Sequence, residues 1–243
     1  MAEQRLWQVD FLRGLAVCMM LISNFLFDLF YFSALFDPQA GFPALLARST
    51  AGLFVLLVGI SLTLSYARSD SRQRGFLKYF RRGVTIFSMG MLITAATRIA
   101  VGQQYVVFGI LHLIGLGIIL AYPFLRHRII SLCCGLLVIF ASFVTSQIMV
   151  SCHWLLWLGL QYKGFTSVDY TPLIPWFGLI LVGIFLGPYF MTGGWMHRHT
   201  ALAGRWWLVR KLAVCGKHSL LIYFVHQPLF WAGFWLWSVV IAP

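Results

Sequence analysis

The stretch from Phe11 to Leu35, FLRGLAVCMMLISNFLFDLFYFSAL, decides the fold class. A helix that crosses a membrane needs about 20 mostly apolar residues, and this stretch is longer and carries two charged side chains, Arg13 and Asp28. It is too long for the apolar region of a secretory signal, and no small-residue cleavage site follows it. We therefore interpret it as the first membrane span.

Further apolar segments of spanning length follow along the chain. The whole sequence is 60% hydrophobic and 10% charged, whereas a soluble domain carries about 25% charged residues. This composition excludes a soluble globular enzyme. We predict an all-α, polytopic membrane bundle that forms a single integral membrane domain over residues 1–243. Its seven predicted spans are residues 11–35, 43–66, 83–101, 105–125, 129–149, 172–190 and 217–241.

The basic residues indicate the orientation of the bundle. The net charge is +12, but a nucleic-acid-binding protein would carry that charge on one face of a soluble domain. Here the charges lie in short gaps between apolar runs, so we predict no nucleic-acid partner. With the N-terminus in the cytoplasm, fifteen of the 18 Lys and Arg residues lie at inner helix ends, as the positive-inside rule requires. The outer ends keep Arg48, Arg98 and Lys163.

Two connecting stretches are apolar without being long enough to cross. Residues 153–160 are expected in the outer interface or as a segment that re-enters partway. Residues 201–213 mix Trp and Leu with Arg and Lys, which is typical of an interfacial helix on the cytoplasmic leaflet. The five cysteines follow no metal-ligand spacing, and we predict no metal site.

A few polar side chains lie inside the predicted spans. Such residues are costly in lipid and by default face the bundle interior, so each is a candidate functional residue. Helical rise places Asn24 about 9 Å and His112 about 10 Å below the outer boundary. Asp28 follows Asn24 by one turn on the same helix face. The candidates are Arg13, Asn24 and Asp28 on span 1, His112 on span 4, and His226 with Gln227 on span 7.

Each candidate also has a structural interpretation that the sequence leaves open. Arg13 either snorkels to the cytoplasmic surface or binds an anionic group. Asn24 is also suited to bonding between membrane helices. Arg81 and Arg82 are explained by topology alone, or they also form a phosphate site. Trp176 fits an aromatic belt without any substrate.

Four motifs in series resemble a known family. VDFLRGLAVCMMLISN (residues 9–24), FGILHLIG (108–115), DYTPLIPWFGLILVGIFLG (169–187) and GKHSLLIYFVHQP (216–228) are similar to small prokaryotic members of the heparan-α-glucosaminide N-acetyltransferase catalytic-domain family. The spacing from Arg13 to Asn24 also resembles the Arg-x10-His signature of type 3 membrane acyltransferases.

This resemblance implies an integral membrane acyltransferase. It would take an acetyl or other acyl group from cytoplasmic acyl-CoA and deliver it to an amine or hydroxyl of an external glycan or small-molecule acceptor. Membrane lipid is the other expected partner, a homodimer is left open, and the expected location is a prokaryotic cytoplasmic membrane. The implied catalytic residues are Asn24, which would donate a hydrogen bond to the thioester carbonyl oxygen, and His112 or else Asp28, which would act as the base that removes the acceptor's proton. The implied cofactor-binding residues are Arg13, Arg81 and Arg82; the implied substrate-binding residues are Asp169, Trp176 and His226.

One position departs from the family pattern. Lysosomal members carry a histidine implicated in catalysis about eleven residues after the span 1 asparagine, and here that position is Leu35. Either His112 replaces this histidine, or the chemistry needs none, or the chain no longer transfers acyl groups.

Two other classes of function compete with this interpretation. A proton-coupled transporter of a small polar or lipid-linked molecule would use Asp28, His112 and His226 as a relay, although no internal repeat typical of transporters is found. A non-catalytic scaffold would use the aromatic span 7 as a binding surface.

Overall fold

The computed structural model describes residues 6–33, 40–69, 75–191 and 206–240, and most of these residues are helical. The described parts contain isolated β-bridges, between Phe108 and Tyr170 and between Met149 and Gln161, but no β-strand. Leu35 and the basic loop at residues 70–74 lie outside the described residues. The described helices are α1 (Trp7–Ser33), α2 (Gly41–Arg68), α3 (Phe76–Val101), α4 (Ile110–Ala121), α5 (Arg128–Thr145), α6 (Leu173–Leu186), α7 (Trp207–Lys217) and α8 (Ser219–Val240).

Within the described residues, five helices are long and apolar enough to cross a membrane. They are Trp7–Phe30, Gly41–Arg68, Phe76–Gln104, Arg128–Thr145 and Leu173–Phe190. These helices confirm the prediction of an all-α membrane bundle.

The other two predicted spans also form helices. The fourth is a shorter apolar helix, Ile110–Arg126, because the chain before Ile110 is extended and bonded to other segments instead of helical. The seventh is α8, whose centre contains His226, Gln227 and Pro228. The total of seven spans stays a prediction.

The chain divides into two compact units. Unit 1 consists of Met1–Phe54 and Thr192–Pro243, and unit 2 is Val55–Met191. Helix α2 contributes residues to both. The organisation as one functional domain stays a prediction.

In unit 1, helix α1 packs against α7 and α8. The crossing of α1 and α7 depends on two glycines. A side chain at Gly14 would overlap with the backbone of Leu212, and one at Gly216 would overlap with the backbone of Asp10. Small residues at such crossings let membrane helices approach closely, so the sequence fixes α7 directly onto the first half of α1.

Unit 2 uses the same device at its own crossings. Helices α3 and α4 meet at Gly83 and Gly115, and each of these glycines lies against the other's backbone. The buried core around these crossings is aliphatic and aromatic. Further glycine pairs are Gly59 with Gly183, where the second half of α2 meets α6, and Gly135 with Gly178, where α5 meets α6.

The two short connecting stretches are only partly as predicted. Residues His153–Leu158 form a short 3₁₀ helix in which Trp154 is exposed and Leu156 is buried. The amphipathic helix α7 begins at Trp207 and continues to Lys217, beyond the predicted end at residue 213. Residues 201–205 lie outside the described part of the chain. The interfacial location of both stretches stays a prediction.

Candidate functional site

The first polar contact of unit 1 joins α1 to α8. Asn24 Nδ2 lies 2.7 Å from His226 Nε2. The other ring nitrogen, His226 Nδ1, lies 2.8 Å from the carbonyl oxygen of Tyr223 and 3.1 Å from that of Ile222. Because carbonyl oxygens only accept hydrogen bonds, Nδ1 carries the proton. The lone pair of this neutral imidazole is therefore at Nε2, where it accepts from the Asn24 amide.

Helix α8 anchors the imidazole through its own backbone. The His226 side chain donates to two carbonyls about one turn earlier in the helix, those of Ile222 and Tyr223. The imidazole is thus anchored at one nitrogen by backbone and presents the other to α1.

A second polar contact lies one turn along α1. Gln227 Nε2 donates to both carboxylate oxygens of Asp28, at 2.9 and 3.2 Å. The Trp231 side chain also hydrogen-bonds this carboxylate. The side chains of Asp28 and His226 are buried, at 2% and 6% exposure. We call Asn24, Asp28, His226 and Gln227 the polar ladder.

Aromatic rings flank the polar ladder on α1 and α8. The ring of Phe25 lies 5.8 Å from Phe230 and 5.5 Å from Phe234, and Phe230 meets the His226 ring edge to face at 5.8 Å. Aromatic contacts of this kind orient the imidazole and exclude water from it. The polar ladder therefore lies among apolar side chains, where its hydrogen bonds are electrostatically strong.

The N-terminal part of α1 holds the predicted anion ligand Arg13. Its guanidinium donates to Asp10 Oδ1 at 3.3 Å, and the Asp10 side chain is buried. Among the described residues, no group donates to the second oxygen, Asp10 Oδ2. Asp10 thus positions Arg13 one residue before the glycine at which α7 crosses α1.

His112 belongs to unit 2 and has a different set of partners. Its Nδ1 accepts a hydrogen bond from the backbone N–H of Gly109 at 3.2 Å, and its Nε2 lies 3.3 Å from the Thr94 hydroxyl. That hydroxyl donates its own hydrogen to the carbonyl of Val106 at 2.8 Å. The imidazole therefore donates from Nε2 to Thr94, and its lone pair at Nδ1 is held by the backbone.

The surroundings of His112 are closely packed. The side chain is 2% exposed, and its ring contacts those of Phe87 and Phe108. A Cβ at Gly90 of α3 would lie 3.0 Å from the imidazole, so glycine there makes room for it. These contacts favour a role for His112 as the cap of α4, and its predicted role as catalytic base stays untested.

Asp169 caps the same helix. Its Oδ2 accepts from the backbone N–H of Ile110 at 3.2 Å, and a carboxylate at a helix N-terminus also interacts favourably with the helix dipole. Burial nevertheless raises the pKa of the Asp169 carboxyl to about 6. The predicted substrate-binding role of Asp169 is untested, and the structure shows it holding α4 in place.

The remaining predicted residues lie in unit 2. Arg81 and Arg82 are exposed on the first turns of α3. Trp176 on α6 is partly buried against the core of unit 2. Within the described ranges, no three His, Cys, Asp or Glu side chains come close enough to hold a metal ion.

The structure thus joins two residues that the sequence analysis placed in different roles, Asn24 as catalytic and His226 as substrate-binding. It also adds Trp231 and Thr94, which sequence reasoning missed. Indoles are common in membrane interfaces and threonines are common in helices that bond their own backbone. A Trp and a Thr at these positions therefore did not stand out in the sequence as candidate site residues.

The comparisons with known proteins identify a family. The model of the heparan-alpha-glucosaminide N-acetyltransferase catalytic family matches residues 5–228 of the 243, and the chain belongs to this family. No curated protein and no solved structure matches the chain. At the family level, membership implies a membrane acetyltransferase that uses acetyl-CoA as the donor.

Proposed function

We propose that this member of the family transfers an acetyl or other acyl group from cytoplasmic acyl-CoA to an amine or hydroxyl of an external glycan or small-molecule acceptor. The observation that carries the proposal is the hydrogen bond between Asn24 and His226. It joins a neutral imidazole with a defined lone pair to a side-chain amide, between two apolar helices. These are the two groups that acyl transfer needs, a base and an oxyanion donor.

Asn24 supplies the oxyanion donor in this proposal. Its Nδ2 group now donates to His226, and a rotation of the amide turns an N–H toward the carbonyl oxygen of the bound thioester. Negative charge develops on that oxygen as the acceptor attacks. One preorganised donor of this kind contributes about 10²–10³-fold to kcat.

His226 supplies the base. When Asn24 turns to the substrate, the Nε2 lone pair becomes available to the acceptor, while Nδ1–H stays bonded to the backbone. The acceptor nitrogen or oxygen forms a bond to the thioester carbon and gives its proton to Nε2. The carbon–sulfur bond then breaks, and the CoA sulfur leaves with the proton that His226 received.

Asp28 and Gln227 position the acceptor in this proposal. The buried Asp28 carboxylate is held by Gln227 and Trp231, so its oxygens have a fixed orientation one turn from Asn24. A hydroxyl or amine hydrogen that bonds to this carboxylate aligns its nitrogen or oxygen with the base. Asp169 and Trp176 remain candidate substrate-binding residues of unit 2.

The phosphates of the donor are proposed to bind basic side chains near the inner helix ends. Arg13, which is fixed by Asp10, is the candidate on α1, and Arg81 and Arg82 are the candidates on α3. A guanidinium is well suited to this because its donors match the geometry of phosphate oxygens.

The test is acetyl transfer by the purified protein in liposomes, with glucosamine and glucose as amine and hydroxyl probes and release of the CoA thiol as the readout. Wild type should release CoA faster with one of the probes than without. Asn24→Ala should lower kcat about 10²–10³-fold, and the neighbouring control Ser23→Ala should not. Failure of folded wild type to bind or turn over acetyl-CoA would overturn the proposal.

One observation favours a second candidate, a non-catalytic scaffold. The four side chains of the polar ladder bond in two pairs, Asn24 with His226 and Asp28 with Gln227, as interhelical polar contacts in membrane proteins do. A scaffold would lose stability in Asn24→Ala and would never bind acetyl-CoA. Calorimetric binding of acetyl-CoA to wild type separates the two.

A further inference from the structure

Helix α7 carries a groove that the proposed chemistry does not yet use. The groove has a volume of about 410 Å³ and is lined by Arg210, Lys211, Val214 and Cys215. The groove is shallow and open, and Arg210 and Lys211 are exposed. Two adjacent cations and two apolar side chains form its lining.

The charges of this groove are not neutralised within the helix. The sequence of α7, WLVRKLAVCGK, contains three basic residues and no acidic one. Within the described residues, neither Arg210 nor Lys211 forms an ion pair. The Lys211 ammonium lies 5.1 Å from the ring centre of Trp207, which is exposed. A cation–π contact of this kind holds the ammonium in place while leaving its charge available to an anion.

The groove is fixed to the first helix. Gly14 and Gly216 bring the backbones of α1 and α7 into contact, and Arg13 precedes Gly14 on α1. The Arg13 charge is shared with Asp10, whereas within the described residues Arg210 and Lys211 have no carboxylate partner. Because α7 packs on α1, an anion held by the groove is tethered to the helix that carries Asn24.

We infer that this groove binds the phosphate groups at the nucleotide end of the acyl-CoA donor. The inference rests on the proposed function, and it adds Arg210 and Lys211 of α7 to the donor site. Arg210 and Lys211 are adjacent in the sequence, and both line the groove, so it offers two positive charges side by side. That arrangement fits the 3′-phosphate and pyrophosphate of CoA, which are separate anionic groups, better than the single phosphate of a lipid headgroup.

The first test measures binding of CoA and of 3′-dephospho-CoA in nanodiscs of uncharged phosphatidylcholine. The double variant Arg210→Gln with Lys211→Gln should weaken CoA binding at least about tenfold, since charge-assisted hydrogen bonds are lost. It should weaken dephospho-CoA binding less. The control is Lys217→Gln, which removes one positive charge from the same helix at a residue outside the groove lining; it is compared with each single variant, Arg210→Gln and Lys211→Gln.

The second test uses Cys215 as a reporter inside the groove. In a variant that keeps Cys215 and replaces the other four cysteines by serine, saturating CoA should slow the reaction of Cys215 with N-ethylmaleimide at least about fivefold, as expected for a covered thiol. The control ligand is adenosine, which lacks phosphate and should give no protection. This readout is independent of the stability of the charge variants.

The outcomes separate this inference from the proposed function. Unchanged CoA affinity in the double variant, equal losses in Lys217→Gln, or unprotected Cys215 would overturn the groove assignment while leaving donor binding intact. Protection of Cys215 by phosphatidylglycerol nanodiscs but not by CoA would assign the groove to a lipid headgroup and overturn it as well. Absence of CoA binding in wild type would instead overturn the proposed function.

Discussion

At the scale of single residues, the two buried histidines differ in what holds the lone pair of the imidazole. At His112, a backbone N–H occupies Nδ1, and a backbone group at a helix start cannot turn away without unwinding the helix. At His226, a side-chain amide occupies Nε2, and one rotation of Asn24 releases it. This difference assigns the base of the proposed reaction to His226.

The first prediction follows for His112. His112→Ala leaves the Gly109 N–H unpaired in a buried position and opens a cavity beside Phe87. We expect it to lower stability by about 1–3 kcal/mol while kcat per folded molecule stays within about threefold of wild type. Thermal unfolding in detergent and acetyl transfer on the same sample measure the two quantities, and the exposed His127→Ala is the control.

The opposite result would restore His112 as the base. A loss of kcat by a factor of about 100 or more, with an unchanged unfolding temperature, contradicts a capping role.

The second prediction concerns Asp169, which lies between the spans. Its pKa is raised by burial to about 6 in the folded protein, compared with an ordinary value of 3.8. Between pH 3.8 and about pH 6, the Asp169 carboxyl is protonated in the folded state but ionised in the unfolded state. The free energy of unfolding therefore falls as pH rises through this range. The stabilisation that comes from protonated Asp169 is complete below about pH 4 and is lost above about pH 6.

Asp169→Asn removes this titration but keeps an oxygen that accepts from Ile110. We expect the fall in unfolding temperature between pH 4.5 and 7.5 to be smaller in Asp169→Asn than in wild type. An identical pH dependence in both proteins would show that Asp169 is ionised at the same pH in the folded and unfolded states.

At the scale of helices, the crossing of α1 and α7 gives the third prediction. A side chain at Gly14 overlaps with the backbone of Leu212, so Gly14→Val forces the two helices apart and costs about 1–3 kcal/mol of stability. Gly233→Ala on α8 is the matched control, because a Cβ there meets no neighbouring atom. Thermal unfolding of both variants in detergent measures the difference, and equal unfolding temperatures would contradict the close crossing.

The same variant affects donor binding if the groove of α7 is part of the site. Displacing α7 from α1 also displaces Arg210 and Lys211 from Arg13. At temperatures where the variant is still folded, Gly14→Val should therefore bind CoA more weakly than wild type does. Gly233→Ala should bind CoA as wild type does.

Helix positions were largely predictable from the sequence, because the apolar length of a span is a local property. Helix α4 is shorter than its predicted span for a reason that is not local. The Thr94 hydroxyl donates to the carbonyl of Val106, the Val106 N–H donates to the Thr97 hydroxyl, and the Thr171 N–H donates to the carbonyl of Phe108. These long-range bonds keep residues before Ile110 extended, and no hydropathy pattern reports them.

The candidate site was predictable only in part. Polarity inside a span identified Asn24, Asp28, His112 and His226, because lipid disfavours such groups. Pairing depends on which helix faces which, and spacing within one span cannot provide that information. The sequence therefore joined Asn24 with His112 by depth, whereas the structure joins it with His226 in unit 1.

At the scale of the whole molecule, the distribution of basic residues makes the fourth prediction. If the N-terminus is cytoplasmic, Lys163 lies outside and Arg128 lies inside. In a background without native cysteines, a membrane-impermeant maleimide should label Lys163→Cys in intact cells and label Arg128→Cys only after permeabilisation. The reverse pattern would contradict the positive-inside assignment.

Leu35 stands where lysosomal members of the family carry a histidine implicated in catalysis, and this difference bears on which residue acts as the base. The chain matches its family over nearly the whole length but lacks a histidine at that position. In the proposed mechanism His226 performs the proton transfer, so the chain retains a base within unit 1.

The most direct test of this account compares His226→Ala with His112→Ala in single-turnover acetyl transfer from acetyl-CoA, with whichever acceptor probe wild type uses. We predict that His226→Ala binds acetyl-CoA as wild type does but transfers it at least about 100-fold more slowly. His112→Ala, corrected for its folded fraction, should transfer at close to the wild-type rate. Transfer at the wild-type rate by folded His226→Ala would contradict the account.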